Sequence, residues 1–418
     1  MSGLGKERTE DMNPRTRALF AAVAGASLLL SALIGPAQSA PLKGEGKNLK
    51  IVANIEYSNG SDMEFATIKG RDYAFAASYA GSIEDGAGLH VIDITKPAKP
   101  KEVAWLKCVV YQGDVQISHD QKTLILAWDS VGTPESCLMS GKIGFMTIDI
   151  TNPKNPKPLG TAEIARGSHN ITAHPTKPYV YNSDSDVGKV DGNIEIWSIK
   201  NPAKPKHVNT VMALGHSPHD ISFNKKGNLA VTAGVDDISI LDTSDPENPT
   251  IASVMQCPTC SIIHDAKFTP DGKRVIVGDE GGGGLPYPCP GGALHFYDLN
   301  TDGPAPFLVY QGIYEPNEVL LAHEGQSGPG ACTSHVFDIS DDGKYVSISW
   351  YSAGTRYLDV SAYTGATFGE NNTPGGVVEV GYFLPDGGSS WSSKFFKGPY
   401  IYSNDQARGF DVFKITAK

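Results

Sequence analysis

Four histidines hold one place in four successive copies of a repeated phrase. His169, His219, His264 and His335 each open a short apolar strand, and a turn residue lies eight positions on, at Lys177, Gly227, Gly272 and Gly343. The chain has only 11 His in all, so four at a single register are not an effect of composition. Imidazole is neutral near pH 7 and is the commonest nitrogen ligand for transition metals. Several imidazoles brought together make a ligand set, and a catalytic set also needs an open coordination position or a neighbouring acid or base. A recurring polar residue at a strand start has a structural use as well, each ring bonding a backbone carbonyl of the neighbouring blade. Converging imidazoles without a ligand, however, leave several buried polar groups to satisfy. The ligand-site reading is therefore preferred.

The elements that must position these rings are strands. One short phrase recurs seven times: LHVIDIT (89–95), FMTIDIT (145–151), IEIWSIK (194–200), ISILDTS (238–244), LHFYDLN (294–300), TRYLDVS (355–361) and FDVFKI (410–415). Four copies run into KPAKP, NPKNP, NPAKP or DPENP. A spacing of about 45–60 residues marks a repeat architecture, and seven all-strand units predict an all-β, seven-bladed β-propeller. Within each copy an inner strand such as HDISF (219–223) or HDAKF (264–268) leads to a Gly/Asp/Lys turn. An apolar strand such as RVIVGD (274–279), the quoted phrase and an outer strand follow. Alternation and β-branched residues support the strands, and proline beside the last one suits a sheet edge. The final copy stops at Ile415 with no outer strand, so NLKIVANIEYS (48–58) is expected to close the ring in blade seven.

A propeller brings one register of every repeat to the central channel. The other copies place Asp62, Gly113 and Ser390 at the histidine register. Loops expected on the same face carry Asp184, Asp186, Asp279, Glu280, Asp405 and Arg408, with His216 and His323 in looser register. The metal ligands expected are His169, His219, His264 and His335, around copper, zinc, iron or manganese. Asp62, Asp184, Asp279, Asp405 and Arg408 are expected to face a ligand.

Residues 1–40 have the pattern of a signal peptide: Arg15 and Arg17, an apolar run from Ala18 to Ile34, then Ala37-Gln38-Ser39 as a small-x-small cleavage site. The run is about 17 residues, short for a span. Residues 41–418 form the propeller, with no membrane span after cleavage. The net charge of −11 becomes more acidic once that segment is removed, a poor match to nucleic acid. A small molecule or glycan is the expected partner, and a closed ring, with no free sheet edge, fits a monomer. Six cysteines remain: Cys108, Cys137, Cys257, Cys260, Cys289 and Cys332. An even number in an exported chain favours disulfides. Topology favours Cys108–Cys137; the connectivity of the other four stays open, with pairings that use Cys289 preferred. Cys257-x-x-Cys260 also has redox or metal spacing. No Gly-x-Ser-x-Gly or HExxH motif occurs, so serine hydrolase and zincin readings lack support.

The phrases LHVIDIT-KPAKP and MTIDIT-NPKNP resemble the LVIVD repeat. The stretch WSSKFFKGPYIYSNDQARGFDVFKI (391–415) is similar to the last blade of exported bacterial LVIVD-repeat proteins, with Asn404-Asp405-x-x-Arg408-Gly409 as its signature. That resemblance implies a secreted or cell-surface propeller and no particular chemistry. The CxxC and scattered histidines are also similar, by residue type alone, to the copper-dependent selenium-binding protein/methanethiol oxidase group. Some propeller polysaccharide lyases use axial histidines with a tyrosine, for which Tyr79, Tyr111, Tyr287 and Tyr351 stand as candidates. The function expected is binding of a metal ion or small ligand at the histidines, as a metal-dependent oxidoreductase or lyase. The alternative is a non-catalytic secreted or surface module that holds protein or glycan on its other face or rim.

Overall fold

The computed structural model describes residues 42–79, 82–108, 110, 112–129, 138, 142–183, 192–212, 218–257, 259–283, 291–316, 332–368 and 372–416. They form a seven-bladed β-propeller, and no helix occurs among them. Each blade is an antiparallel sheet read from the axis outward. Blade five, for example, runs Ile263–Phe268, Arg274–Asp279, Ala293–Asn300 and Phe307–Tyr314. The ring closes as the repeat count requires, since Leu49–Ile55 pairs antiparallel with Gly409–Ile415. One further strand, Gly44–Lys47, extends blade six to five strands.

The recurrent residues have physical jobs. The aspartate near the end of the third strand accepts the backbone N–H two residues on: Asp93 from Thr95 (3.1 Å), Asp149 from Thr151 (2.8 Å), Asp242 from Ser244 (2.9 Å) and Asp359 from Ser361 (2.8 Å). This Asx-type turn ends the strand. The Pro-x-x-Pro segment that follows closes with the same bond each time, Lys99 to Lys96, Asn155 to Asn152, Lys204 to Asn201 and Asn248 to Asp245. In the inner hairpins, Gly227, Gly272 and Gly343 have φ of 73°, 69° and 70°, a left-handed conformation that glycine enters at little cost.

Every pairing of a third strand with its outer strand carries a register shift, as between Val91 and Ile92 or Phe296 and Tyr297. A bulge adds right-handed twist, which lets adjacent sheets splay outward from a common axis. The apolar core is likewise divided. Each of seven clusters lies between two neighbouring blades, such as Phe75, Leu89, Leu124 and Met146 between blades one and two. The centre is left to polar side chains.

Candidate metal centre

The four histidines come together. Each stands at or just before the start of its inner strand, where the backbone is already held; His219 N–H donates to Ala233 C=O (2.6 Å) and His335 N–H to Ser349 C=O (2.9 Å). Ring centroids are 4.6 Å apart for His169–His219, 4.1 Å for His219–His264 and 4.1 Å for His264–His335. The result is an arc of imidazoles across blades three to six.

Three of the four outer nitrogens are tied down. His219 Nδ1 lies 3.0 Å from His264 C=O and His335 Nδ1 lies 2.7 Å from Trp391 C=O. A carbonyl only accepts, so His335 carries hydrogen on Nδ1 and presents a lone pair at Nε2, whereas His219 Nδ1 also meets the Asn170 amide nitrogen at 3.2 Å. His169 Nδ1 meets the Asp129 carboxylate at 2.6 Å. His264 Nδ1 is buried with no hydrogen-bond partner.

The inner nitrogens converge on Glu280, which follows the second strand of blade five and is fixed by its N–H to Ile262 C=O (2.8 Å). His335 Nε2 is 3.7 Å from Oε1 and His264 Nε2 is 4.0 Å from Oε2. Tyr351 donates its hydroxyl to Oε1 at 2.6 Å. Burial, reinforced by the neighbouring imidazoles, holds His219 and His264 well below the ordinary histidine range, and burial carries His335 down to about 3. Burial and Glu280 push the Tyr351 phenol well up, so it stays protonated. The neutral His335 ring therefore turns a lone pair toward a carboxylate, an arrangement that is repulsive unless a cation lies between. The donor atoms of His264, Glu280 and His335 lie within 4.8 Å of one another. Two imidazoles and one carboxylate make a ligand set suited to iron(II) or catalytic zinc, and the held Nδ1 of His335 matches the outer-shell support that such ligands usually have.

Behind the histidines the channel opens into a cavity of about 310 Å³, lined by all four rings, Trp391 and a belt of charged groups. Lys394 bridges Asp62 and Glu64 at 2.9 Å each, and Lys267 pairs with Asp265. Burial raises Asp220 to about 8, with Asp265 adding to it, and raises Asp338 to about 6. Asp114 also rises, through burial and then Asp62 and Asp220, while its carboxylate accepts Ile171 N–H at 2.6 Å. Such a chamber suits a small polar or cationic guest.

The other expected site residues are dispersed. Asp62 lines the cavity. Ser390 does not. Its hydroxyl bonds Ser349 and Ser403, and a register shift between Ser390 and Ser392 sends Trp391 to the channel in its stead. Asp279 caps Ser261 and Ile262 N–H with Oδ1, 2.8 Å each. Asp405 accepts from Ser389, Ala407 and Arg408 N–H, and Arg408 forks onto Asp411 at 2.8 and 3.1 Å. This pair braces the last hairpin and lies outside the cavity lining. Cys257 and Cys260 form a disulfide; Cys108 and Cys332 are disulfide-bonded too. Asp184, Asp186, His216, His323, Tyr111, Tyr287, Cys137 and Cys289 lie outside the described residues.

Asp129, Trp391, Lys267 and Lys394 were not anticipated. One signal was available: three positions beyond the histidine register stand Gln116, Thr172, Ser222, Lys267 and Asp338, a second polar ring in the same alignment.

No family model and no curated protein matches this chain. Solved structures do resemble it. The β-propeller domain of Cps50 (Swd1) from Myceliophthora thermophila is 10% identical, with TM-score 0.59, covering 88% of this chain and 100% of that one. Hydrazine synthase of Kuenenia stuttgartiensis is 12% identical, with TM-score 0.60, covering 88% and 98%. A functionally unknown protein from Desulfotomaculum acetoxidans is 17% identical, with TM-score 0.52, covering 77% and 88%. At these identities the likeness is one of fold.

Proposed function

We propose that this chain is an exported LVIVD-repeat propeller that binds a transition metal at its axis and acts as a metal-dependent oxidoreductase. The observation that carries the reading is the pair of neutral imidazole nitrogens turned onto Glu280 at 3.7 and 4.0 Å. His264, Glu280 and His335 would hold the metal, His219 and His169 flank it, and the cavity would receive a small polar substrate. A bound metal of this ligand type supplies Lewis-acid or redox chemistry. The chain's own part is to hold two imidazoles neutral and one carboxylate oriented by Tyr351.

Oxidoreductase is favoured over lyase by Tyr351. A tyrosine that removes a proton must ionise, and this one is kept protonated by burial and Glu280. Oxidisable rings also adjoin the centre: Trp391 lies 4.3 Å from His335 and 5.2 Å from the half-buried Tyr79. A second reading, a binding module, draws support from the exposed Phe307, Val309 and Tyr310 on the outer strand of blade five.

The experiment is elemental analysis of the mature protein, expressed into an oxidising compartment without a His tag, beside a His264→Ala/His335→Ala variant. About one copper, zinc, iron or manganese per chain, lost in the variant, supports the metal centre. No metal in either protein sinks it and moves weight to the binding module.

A further inference from the structure

The loop between blades four and five carries a second set of ligating atoms, which the axial cluster does not use. The Cys257–Cys260 disulfide lies between the outer strand Thr250–Gln256 and the inner strand Ile263–Phe268. Cys257 is buried and Cys260 half-buried, so Cys260 is the more accessible of the two residues. Cys260 Sγ is 3.5 Å from Nε2 of the buried His295. Asp279 Oδ2 stands 3.9 Å from the same nitrogen, and His295 Nδ1 has no hydrogen-bond partner. Donor atoms of Cys257, Cys260 and His295 all lie within 4.8 Å of one another. Joined as a disulfide, the sulfurs are poor ligands. As thiolates beside an imidazole they make an S₂N set of the kind that zinc and copper(I) prefer.

We propose that Cys257–Cys260 is a redox couple gating a second metal site, which Cys257, Cys260 and His295 form only when reduced. The reductant is a dithiol. Its thiolate attacks Cys260 Sγ, the Cys257–Cys260 bond breaks, and Cys257 leaves as a thiolate. The reductant's second thiolate then attacks the reductant sulfur of the mixed disulfide, releasing Cys260. Two electrons pass to the protein and the dithiol becomes a disulfide. Zinc binding then sends the remaining thiol protons to solvent. The loop also touches the axial centre, since Cys260 stands four residues before His264 and Ile262 C=O holds Glu280 N–H.

The test titrates the full mature chain with zinc before and after a water-soluble trialkylphosphine, which reduces the disulfide with water and is itself oxidised to the phosphine oxide. Reduction under native conditions should open Cys257 and Cys260 to alkylation, located by peptide mass spectrometry, and add one zinc equivalent. That equivalent should persist in His264→Ala/His335→Ala, disappear in Cys257→Ser/Cys260→Ser and weaken at least tenfold in His295→Gln. Should the cysteine variant fail to fold, His295→Gln keeps the disulfide and carries the test alone. The proposal is overturned if the pair resists reduction in the folded protein, or if zinc uptake is equal in both redox states. It also fails if the added equivalent vanishes with the axial histidines or binds His295→Gln as tightly as wild type.

Discussion

His335 takes both its tautomer and its ring plane from Trp391: Nδ1 donates to that residue's carbonyl at 2.7 Å, and the two rings pack with centroids 4.3 Å apart. The carbonyl decides which nitrogen is bare, and the indole decides where it points. A buried imidazole constrained twice in this way is prepared for a ligand rather than merely accommodated.

Glu280 and Tyr351 should separate ligand from support. Glu280→Gln removes the anionic donor and is expected to weaken metal binding at least 100-fold. Tyr351→Phe removes one hydrogen bond to a ligand and should cost about 10- to 100-fold, the usual range for an outer-shell partner. Competition against a chromophoric chelator measures both, and equal, wild-type affinity in the two variants would refute the cluster as a metal site.

Metal retention should be unusually tolerant of acid. Two ordinary imidazoles would together cost about 100-fold in affinity between pH 7 and pH 5.5, because each must lose a proton to bind. Here His264 and His335 are already neutral across that window, and the expected loss is under tenfold. The sign for stability is opposite in kind: a depressed histidine contributes fully above about 6.5, and that contribution drains away as pH falls, because the unfolded chain takes up protons the fold refuses. Metal titrations at three pH values check the first statement, and melts of metal-free protein check the second.

Asp338 titrates the other way. Burial raises it to about 6, so between about pH 4 and pH 6 the fold keeps a proton that the unfolded chain gives up, and stability falls as pH rises through that range. Asp338→Asn can still accept Phe395 N–H, the bond now made at 2.9 Å. Its melting temperature should match wild type near pH 4 and exceed it by several degrees at pH 7.5. Identical melts at both pH values would mean that water in the cavity already solvates the carboxylate.

The fold was legible because a blade repeats its punctuation: the aspartate that ends the third strand and the glycine of the inner hairpin are local necessities, and counting back from that glycine reaches the histidine. Glu280 was named among the loop residues of the same face, though not among the expected metal ligands. What the count could not reach was any residue displaced by a bulge. Trp391 follows Ser390 in sequence, yet a one-residue shift exchanges which of them meets the axis. Nor could Asp129 be paired with His169, since they belong to different blades and meet across 40 residues of chain.

Asn404 should prove the structural keystone of the ring. Its buried amide donates to Asp62 C=O (3.2 Å) and Ala77 C=O (2.8 Å) and accepts the Tyr57 hydroxyl (2.7 Å), tying the last blade to the first. Asn404→Ala strands these groups and should cost about 3 kcal/mol, in line with leaving buried polar groups unpaired. Chemical denaturation with an unchanged slope and a lowered midpoint is the expected result, and a loss below 1 kcal/mol would show that water replaces the amide.

The closing pair of strands has a consequence for how the molecule comes into being. Leu49–Ile55 cannot find its partner until Gly409–Ile415 has been made, so during synthesis the ring stays open. Such a chain can nucleate blades early but cannot lock, and pairing across so long a separation is slow. A polypeptide that stays unlatched until its last strand arrives acquires its axial chamber, with any ion inside it, only once the whole chain has been made.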